Sequence, residues 1–200
     1  MAELKNYDTV QHDETKEIKE IIYGKIYYMA GGTFLHVDII TNIGLEFNIY
    51  FRNKNIKCKA YTEGLKVFLD KKRKDEYVLP DVSIICDRSK RTKQGTKAIP
   101  ELIVEVISDS SRRDDKITKL NFYENSGIKE YWIVEPELKS IEQYILVNGR
   151  YEPPKMLVLL NENELNNLSD ERKASYTTII KPTMFEDLEI DLKDIFPQEE

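Results

Sequence analysis

Glu105 is the residue whose position asks most insistently for a chemical explanation. It is the only ionisable side chain in Leu102-Ile103-Val104-Glu105-Val106-Ile107, a short β-branched run that reads as a central strand covered on both faces. An unpaired charge there would cost several kcal/mol, on the order of the penalties known for buried ions. A metal, a lysine or an arginine should therefore meet it, whether as part of a reactive site or as an ordinary strand-end ion pair. Asp81 is the second carboxylate, placed after Pro80 where a strand enters its apolar stretch, Val82 to Cys86. Proline donates no ladder hydrogen bond, so the strand is distorted there and suited to face a cleft. Pro-Asp is also a common turn dipeptide. Two carboxylates at the same end of adjacent strands would offer oxygen ligands to Mg²⁺, which takes one or two carboxylates with water and phosphate. Lys119 is the third group, two turns into the helix that follows Glu105. From there its ammonium can reach back toward Glu105 and polarise a phosphate. Spacing alone serves a surface pair with Asp115 at i−4 equally well.

The elements that must position these groups can be read along the chain. Glu14 to Glu20 suggests a short helix, and Ile21 to Met29 a strand or hairpin ended by Gly31-Gly32. Thr33 is a suitable N-cap for a long helix carrying His36, Ile40, Ile43, Phe47 and Tyr50 on one face. His36 reads as a core or supporting histidine rather than a base. Lys57 to Thr62 and Leu65 to Leu69 flank a Glu63-Gly64 turn, and Tyr77 to Cys86 forms a further strand. A charged loop, Asp87 to Lys97, precedes the Glu105 strand. Ser111-Arg112-Arg113-Asp114 supplies a capping-box-like helix start, and the helix stops at Asn125-Ser126-Gly127. Arg112, Asp115, Lys119 and Phe122 make one stripe on it, while Ile117 and Leu120 are expected in the core. Lys129 to Val134, Ser140 to Leu146, Thr177 to Ile180 and Leu188 to Leu192 complete a strand-rich second half. The order predicts a mixed α/β (α+β) fold with a central sheet. Residues 1–12 read as a loose leader, 13–196 as a single domain and 197–200 as a tail.

Composition narrows the functional classes. The chain has 200 residues, enough for a sizeable core, and 33% of them are charged against about 25% in average domains. Thirty Lys/Arg against 36 Asp/Glu leave a formal charge of −6, which argues against a histone-like coat. The balance is uneven: residues 52–119 hold 18 basic and 11 acidic residues, a net +7 within an otherwise acidic chain. A basic middle suits a cleft for a polyanion as well as a solvated surface. Cys58 and Cys86 give no disulfide framework and read as reduced, buried thiols in strands. Two histidines far apart, His12 and His36, disfavour a zinc site built from His and Cys. No signal peptide or membrane span is visible, so a soluble, cytoplasmic protein is expected.

Pro80-Asp81, Glu105 in an apolar strand and a downstream lysine resemble the PD-(D/E)XK nuclease superfamily. PDVSIICD, ELIVEVISDSSRRDDKITKLNFYENSGIKEYWIVEP and LEIDLKDIF are similar to its Uma-type, restriction-endonuclease-like branch, as is EIIYGKIYYM followed by His36. The similarity runs from about Glu20 to Phe196. It implies a restriction-endonuclease-like core, a central mixed sheet flanked by helices, and metal-dependent cleavage of DNA. It implies Asp81 and Glu105 as ligands of Mg²⁺ (or Mn²⁺), the Val106 carbonyl as a further ligand, and Lys119 as the catalytic lysine. The superfamily's usual lysine position, two residues after Glu105, is Ile107. Glu20 matches a recurrent glutamate and is an additional site candidate. Arg112, Arg113, Lys90, Arg91 and Lys93 flank the expected cleft and are candidates for holding the DNA backbone. DNA is the implied partner, without a membrane, and a homodimer is compatible with the family. The competing reading is a nuclease-fold module that binds nucleic acid or protein without catalysis. A carboxylate-pair glycosidase is a third class, unsupported by substrate-lining tryptophans because Trp132 is the only one.

Overall fold

Hydrophobic patterning builds a sheet covered on both faces. The computed structural model describes residues 18–29, 31–69, 75–107 and 115–197. β1 (Lys19–Ile22) and β2 (Lys25–Tyr28) form an antiparallel hairpin turned by Tyr23 and Gly24, both at positive φ. Glu20 therefore lies on a strand. Of the helix expected over Glu14 to Glu20, residues 14–17 lie outside the described residues. Helix α1 (Phe34–Asn53) starts where expected, with Thr33 Oγ1 accepting from the His36 amide.

The main sheet has the order β3-β4-β5-β6-β7-β8, and β9 also pairs with β7. Its strands are β3 (Lys59–Thr62), β4 (Val82–Ile85), β5 (Leu102–Val106), β6 (Glu130–Glu135), β7 (Ser140–Val147), β8 (Arg150–Tyr151) and β9 (Lys155–Val158). Among the described strands only β5 and β6 run parallel; the chain between them includes a π-helical turn, Asp115–Lys119, and helix α2 (Leu120–Ser126). Gly127 closes α2 in the left-handed conformation, as its sequence suggests. Two short strands, β10 (Ile179–Ile180) and β11 (Ile190–Asp191), pair with each other near the end of the described chain.

Alternation along β4 and β5 sorts the core into two layers. Val82, Ile84, Val104 and Val106 pack with Ile39, Ile43 and Phe47 of α1 and with Phe185, Leu188 and Phe196. Ile103 and Ile107 pack on the opposite face with Ile22, Val78, Phe122 and Tyr123. The mixed sheet between helical layers matches the predicted class.

Several expectations need correction. Leu65 to Leu69 is not a strand, although Val67 makes single bridges to Val78 and Thr96. Ile117 is 61% exposed rather than in the core, because the π-helical turn has a wider period than the α-helical spacing assumed. The short helices Glu162–Asn166 and Asp170–Ser175 were not anticipated. Cys58 and Cys86 are joined in a disulfide rather than reduced. The Lys59–Ile85 pairing explains this, since one step outward sets the two cysteines opposite each other across the β3–β4 ladder. No described helix is long and apolar enough to cross a membrane.

Candidate active site

The distortion at Pro80 creates the site. In the antiparallel β4–β5 ladder Val82 faces Val104, so continuing the register sets Asp81 across from Glu105 and Pro80 across from Val106. Pro80 has no N–H to give to the Val106 carbonyl, and the ladder stops. Asp81 Oδ2 instead accepts a 2.6 Å hydrogen bond from the Val106 amide, which fixes the carboxylate beside the end of β5. The Asp81 carbonyl accepts from Glu63 N at 2.9 Å, holding the same point from the β3 side.

The other Asp81 oxygen meets α1. His36 Nε2 lies 3.5 Å from Asp81 Oδ1, one turn into the helix that Thr33 caps. Asp81 raises the His36 pKa above its usual value by hydrogen bonding and by charge, against the opposing effect of burial; Glu63 adds to the rise. Gly32 makes room for the ring, because a Cβ there would stand 2.7 Å from His36 Cδ2.

Glu105 is buried, and the cation it demanded is Lys119. The ammonium lies 3.1 Å from Glu105 Oε2 and 3.0 Å from Glu20 Oε2, with all three side chains nearly inaccessible to solvent. Glu20 Oε1 accepts from the Leu79 amide at 2.6 Å, tying the β1 hairpin to the segment entering β4. Glu105 Oε1 accepts from the Tyr123 hydroxyl at 2.6 Å. Burial, together with the Glu105 and Glu20 charges, pushes the Tyr123 pKa well up, so the phenol remains a donor.

The expected residues fare unequally. Glu20, Glu105 and Lys119 meet directly, and Asp81 is bound to the main chain of Val106, the residue after Glu105. Lys119 is buried rather than on the surface. Lys90, Arg91 and Lys93 are exposed on the 87–97 loop, with Lys90 drawn to Asp87 at 3.6 Å. Arg112 and Arg113 lie outside the described residues. Sequence reasoning missed Tyr123 and set His36 aside. Tyr123 stands one helical turn after Lys119, and that spacing was its only signal.

The donors suit a hard divalent cation in kind and number: two carboxylates, Asp81 and Glu105, and a Val106 carbonyl that Pro80 leaves without its ladder donor. Among the described residues no three His, Cys, Asp or Glu side chains converge on one point, so a cage made wholly of side chains is absent. A Mg²⁺ site in general needs no such cage, because the ion keeps several waters and phosphate oxygens.

Comparison with known proteins bears on family and fold. The family model described as "Uma2: Putative restriction endonuclease" matches residues 3–173. Two proteins of Synechocystis sp., both named only as uncharacterized, are similar in sequence. One (sll1609) is 24% identical over 143 residues, 70% of this chain and 78% of the relative. The other (slr1290) is 28% identical over 133 residues, covering 66% and 68%. A crystal structure from Anabaena variabilis, described as a putative nuclease belonging to DUF820, superposes with a TM-score of 0.67 at 18% identity. It covers 92% of each chain and shows the shared fold.

Proposed function

The chain belongs to the Uma2 family of restriction-endonuclease-like proteins, and from that premise we propose that it is a metal-dependent DNA endonuclease acting at the Asp81–Glu105 end of β4 and β5. The observation that carries the reading is the delivery of Lys119, from the helix after β5, to the carboxylate buried in β5. A core needing only structure would be served as well by an apolar residue at each position, since replacing buried ion pairs with packed hydrophobes is often neutral or stabilising.

Asp81, Glu105 and the Val106 carbonyl would hold Mg²⁺ or Mn²⁺. When bound, the ion supplies a lowered pKa for an attacking water and charge stabilisation at the phosphodiester. The chain's own groups do the positioning. The Val106 amide and His36 restrain the two Asp81 oxygens, and Tyr123 orients Glu105. Glu20 holds Lys119, whose ammonium adds positive charge beside the site for a phosphate that becomes more negative in the transition state. The domain limits proposed are 13–196.

Asp81→Asn keeps a side-chain oxygen for the Val106 amide, so the variant should fold as the parent does and lose Mg²⁺-dependent cleavage of DNA. Cleavage that survives in both Asp81→Asn and Glu105→Gln would end this reading. The second reading, a nuclease-fold module without catalysis, is favoured by one observation: both Glu105 oxygens already have protein donors. Calorimetric titration with Mn²⁺ separates the two, because the catalytic reading requires binding that Asp81→Asn weakens.

A further inference from the structure

Part of the basic middle of the sequence gathers at one edge of the sheet. β3 is the end strand of the main sheet, and Lys59 and half-buried Tyr61 share one of its faces. Arg91 reaches this strand from the 87–97 loop and donates to the Tyr61 hydroxyl. Lys59 and Arg91 lie 5.5 and 5.7 Å from the Tyr61 ring centre, within cation–π range. Three side chains from two separate segments thus form one exposed basic and aromatic unit.

The loop that presents Arg91 is firmly built. Thr96 N donates to Lys66 O at 2.8 Å, Lys97 N to Lys90 O at 3.0 Å, and Thr92 N to Gly95 O at 2.8 Å. Gly95 permits the close approach, for a Cβ there would lie 2.1 Å from the Lys66 carbonyl, at φ +156°. Lys93 stands exposed on the same loop. Lys90 is a weaker contributor because Asp87 engages it.

Register connects this unit to the candidate active site. Tyr61 pairs with Ser83, and Ser83 with Ile103. Alternation therefore puts Lys59, Tyr61 and Glu105 on one face of the sheet, the face carrying Ile103 and Tyr123. Tyr61 is one strand across and two residues along from Asp81. At about 4.8 Å per strand and 3.3 Å per residue that is ~8 Å between main chains. That distance puts the unit within reach of a phosphate adjacent to one held at Asp81.

We propose that Lys59, Tyr61 and Arg91, with Lys93, form a track on the β3 edge that binds the phosphodiester backbone of DNA beside the reacting phosphate. This deepens the endonuclease reading and rests on it for the identity of the polyanion. Arg91 and Lys59 contact phosphates, while Tyr61 holds the Arg91 guanidinium in place. The track reads charge, so binding is independent of base sequence and falls steeply with salt.

The test is fluorescence anisotropy of the full chain with a labelled 20-base-pair duplex and with one of its strands, in EDTA, across a salt series. Each of Lys59→Ala and Arg91→Ala should weaken binding and lower the slope of log K against log salt by about one, and the double change by about two. Tyr61→Phe, which keeps the ring and removes the acceptor, should weaken binding less than Arg91→Ala. Lys155→Ala on β9, away from β3 in the sheet order, should leave the slope unchanged. A double variant with the parental slope, or a parent that binds neither probe, overturns the proposal and leaves Lys59 as charge that guards an exposed sheet edge. Because binding is read without divalent ion, failure of the track is distinct from failure of the endonuclease reading, which is read as cleavage in Mg²⁺.

Discussion

The Tyr123 hydroxyl donates a 2.6 Å hydrogen bond to Glu105 Oε1, from a ring that is fully buried. Lys119 engages the other Glu105 oxygen at 3.1 Å, so the carboxylate is held at both ends. Tyr123→Phe removes one of these restraints without changing volume much. It should cost about 1–3 kcal/mol in urea denaturation, the range for leaving a buried polar group unsatisfied. It should also weaken Mn²⁺ binding by calorimetry through a less ordered Glu105. Unchanged stability and unchanged binding together would show that the hydroxyl has no orienting role.

Lys119 lies 3.0 Å from Glu20 Oε2 and 3.1 Å from Glu105 Oε2, and all three side chains are buried. Lys119→Met should destabilise the fold by about 3–5 kcal/mol, because it removes the ammonium shared by two buried carboxylates. Adding Glu20→Gln should recover part of that loss, a coupling that a double-mutant cycle in urea measures directly. Strictly additive effects would mean that the three groups do not act as a unit.

His36 supplies a pH dependence. Its folded-state pKa is raised above 6.5, chiefly through Asp81. The folded protein therefore holds this proton more tightly than the unfolded chain. The resulting stability is fully present below about pH 6.5 and is lost as pH rises through the folded value. In EDTA, denaturant midpoints should fall across that window, and His36→Gln should flatten the dependence. Proton NMR is a direct check, since only His12 and His36 contribute imidazole signals; a His36 titration below 6.5 would contradict the assignment.

Glu130 anchors the last described segment to the sheet. Its Oε1 accepts from Trp132 Nε1 and Gln143 Nε2, each at 2.7 Å; its Oε2 accepts from the Thr183 amide and hydroxyl at 2.7 and 2.6 Å. Glu130→Ala should cost roughly 3 kcal/mol, because several buried donors lose their acceptor at once. The shift should be visible in Trp132 fluorescence, an unambiguous probe because it is the sole tryptophan. Retention of the parental midpoint would show that the latch is dispensable.

The Cys58–Cys86 disulfide spans a sequence separation of 28 residues. Closing a loop of that size should add about 3–4 kcal/mol through restriction of the unfolded chain. Reduction, or the Cys58→Ser/Cys86→Ser pair, should lower the denaturation midpoint accordingly. Thiol titration under denaturing, non-reducing conditions should find no free cysteine.

Much of this architecture was legible in particular residues. The apolar run around Glu105 required a covered strand and a compensating cation, and both are present as β5 and Lys119. Thr33 marked the start of α1 and Gly127 the end of α2, because caps are local chemistry. Even the irregularity at Pro80 followed from a missing N–H. What one-dimensional spacing could not carry was pairing between distant segments. The β3–β4 register joins Cys58 to Cys86, and the return of β1 against the sheet brings Glu20 to Lys119. The π-helical turn shifts Ile117 outward and Lys119 inward, a departure from α-helical period that no residue in the turn announces. His36 acquires a role only where α1 crosses the end of β4. Local hydrogen-bonding chemistry and the cost of burying charge act between neighbours in sequence or on single residues, so they are written in the chain. Partner choice among buried ions depends on which strands become adjacent, and that was settled only by the packed sheet.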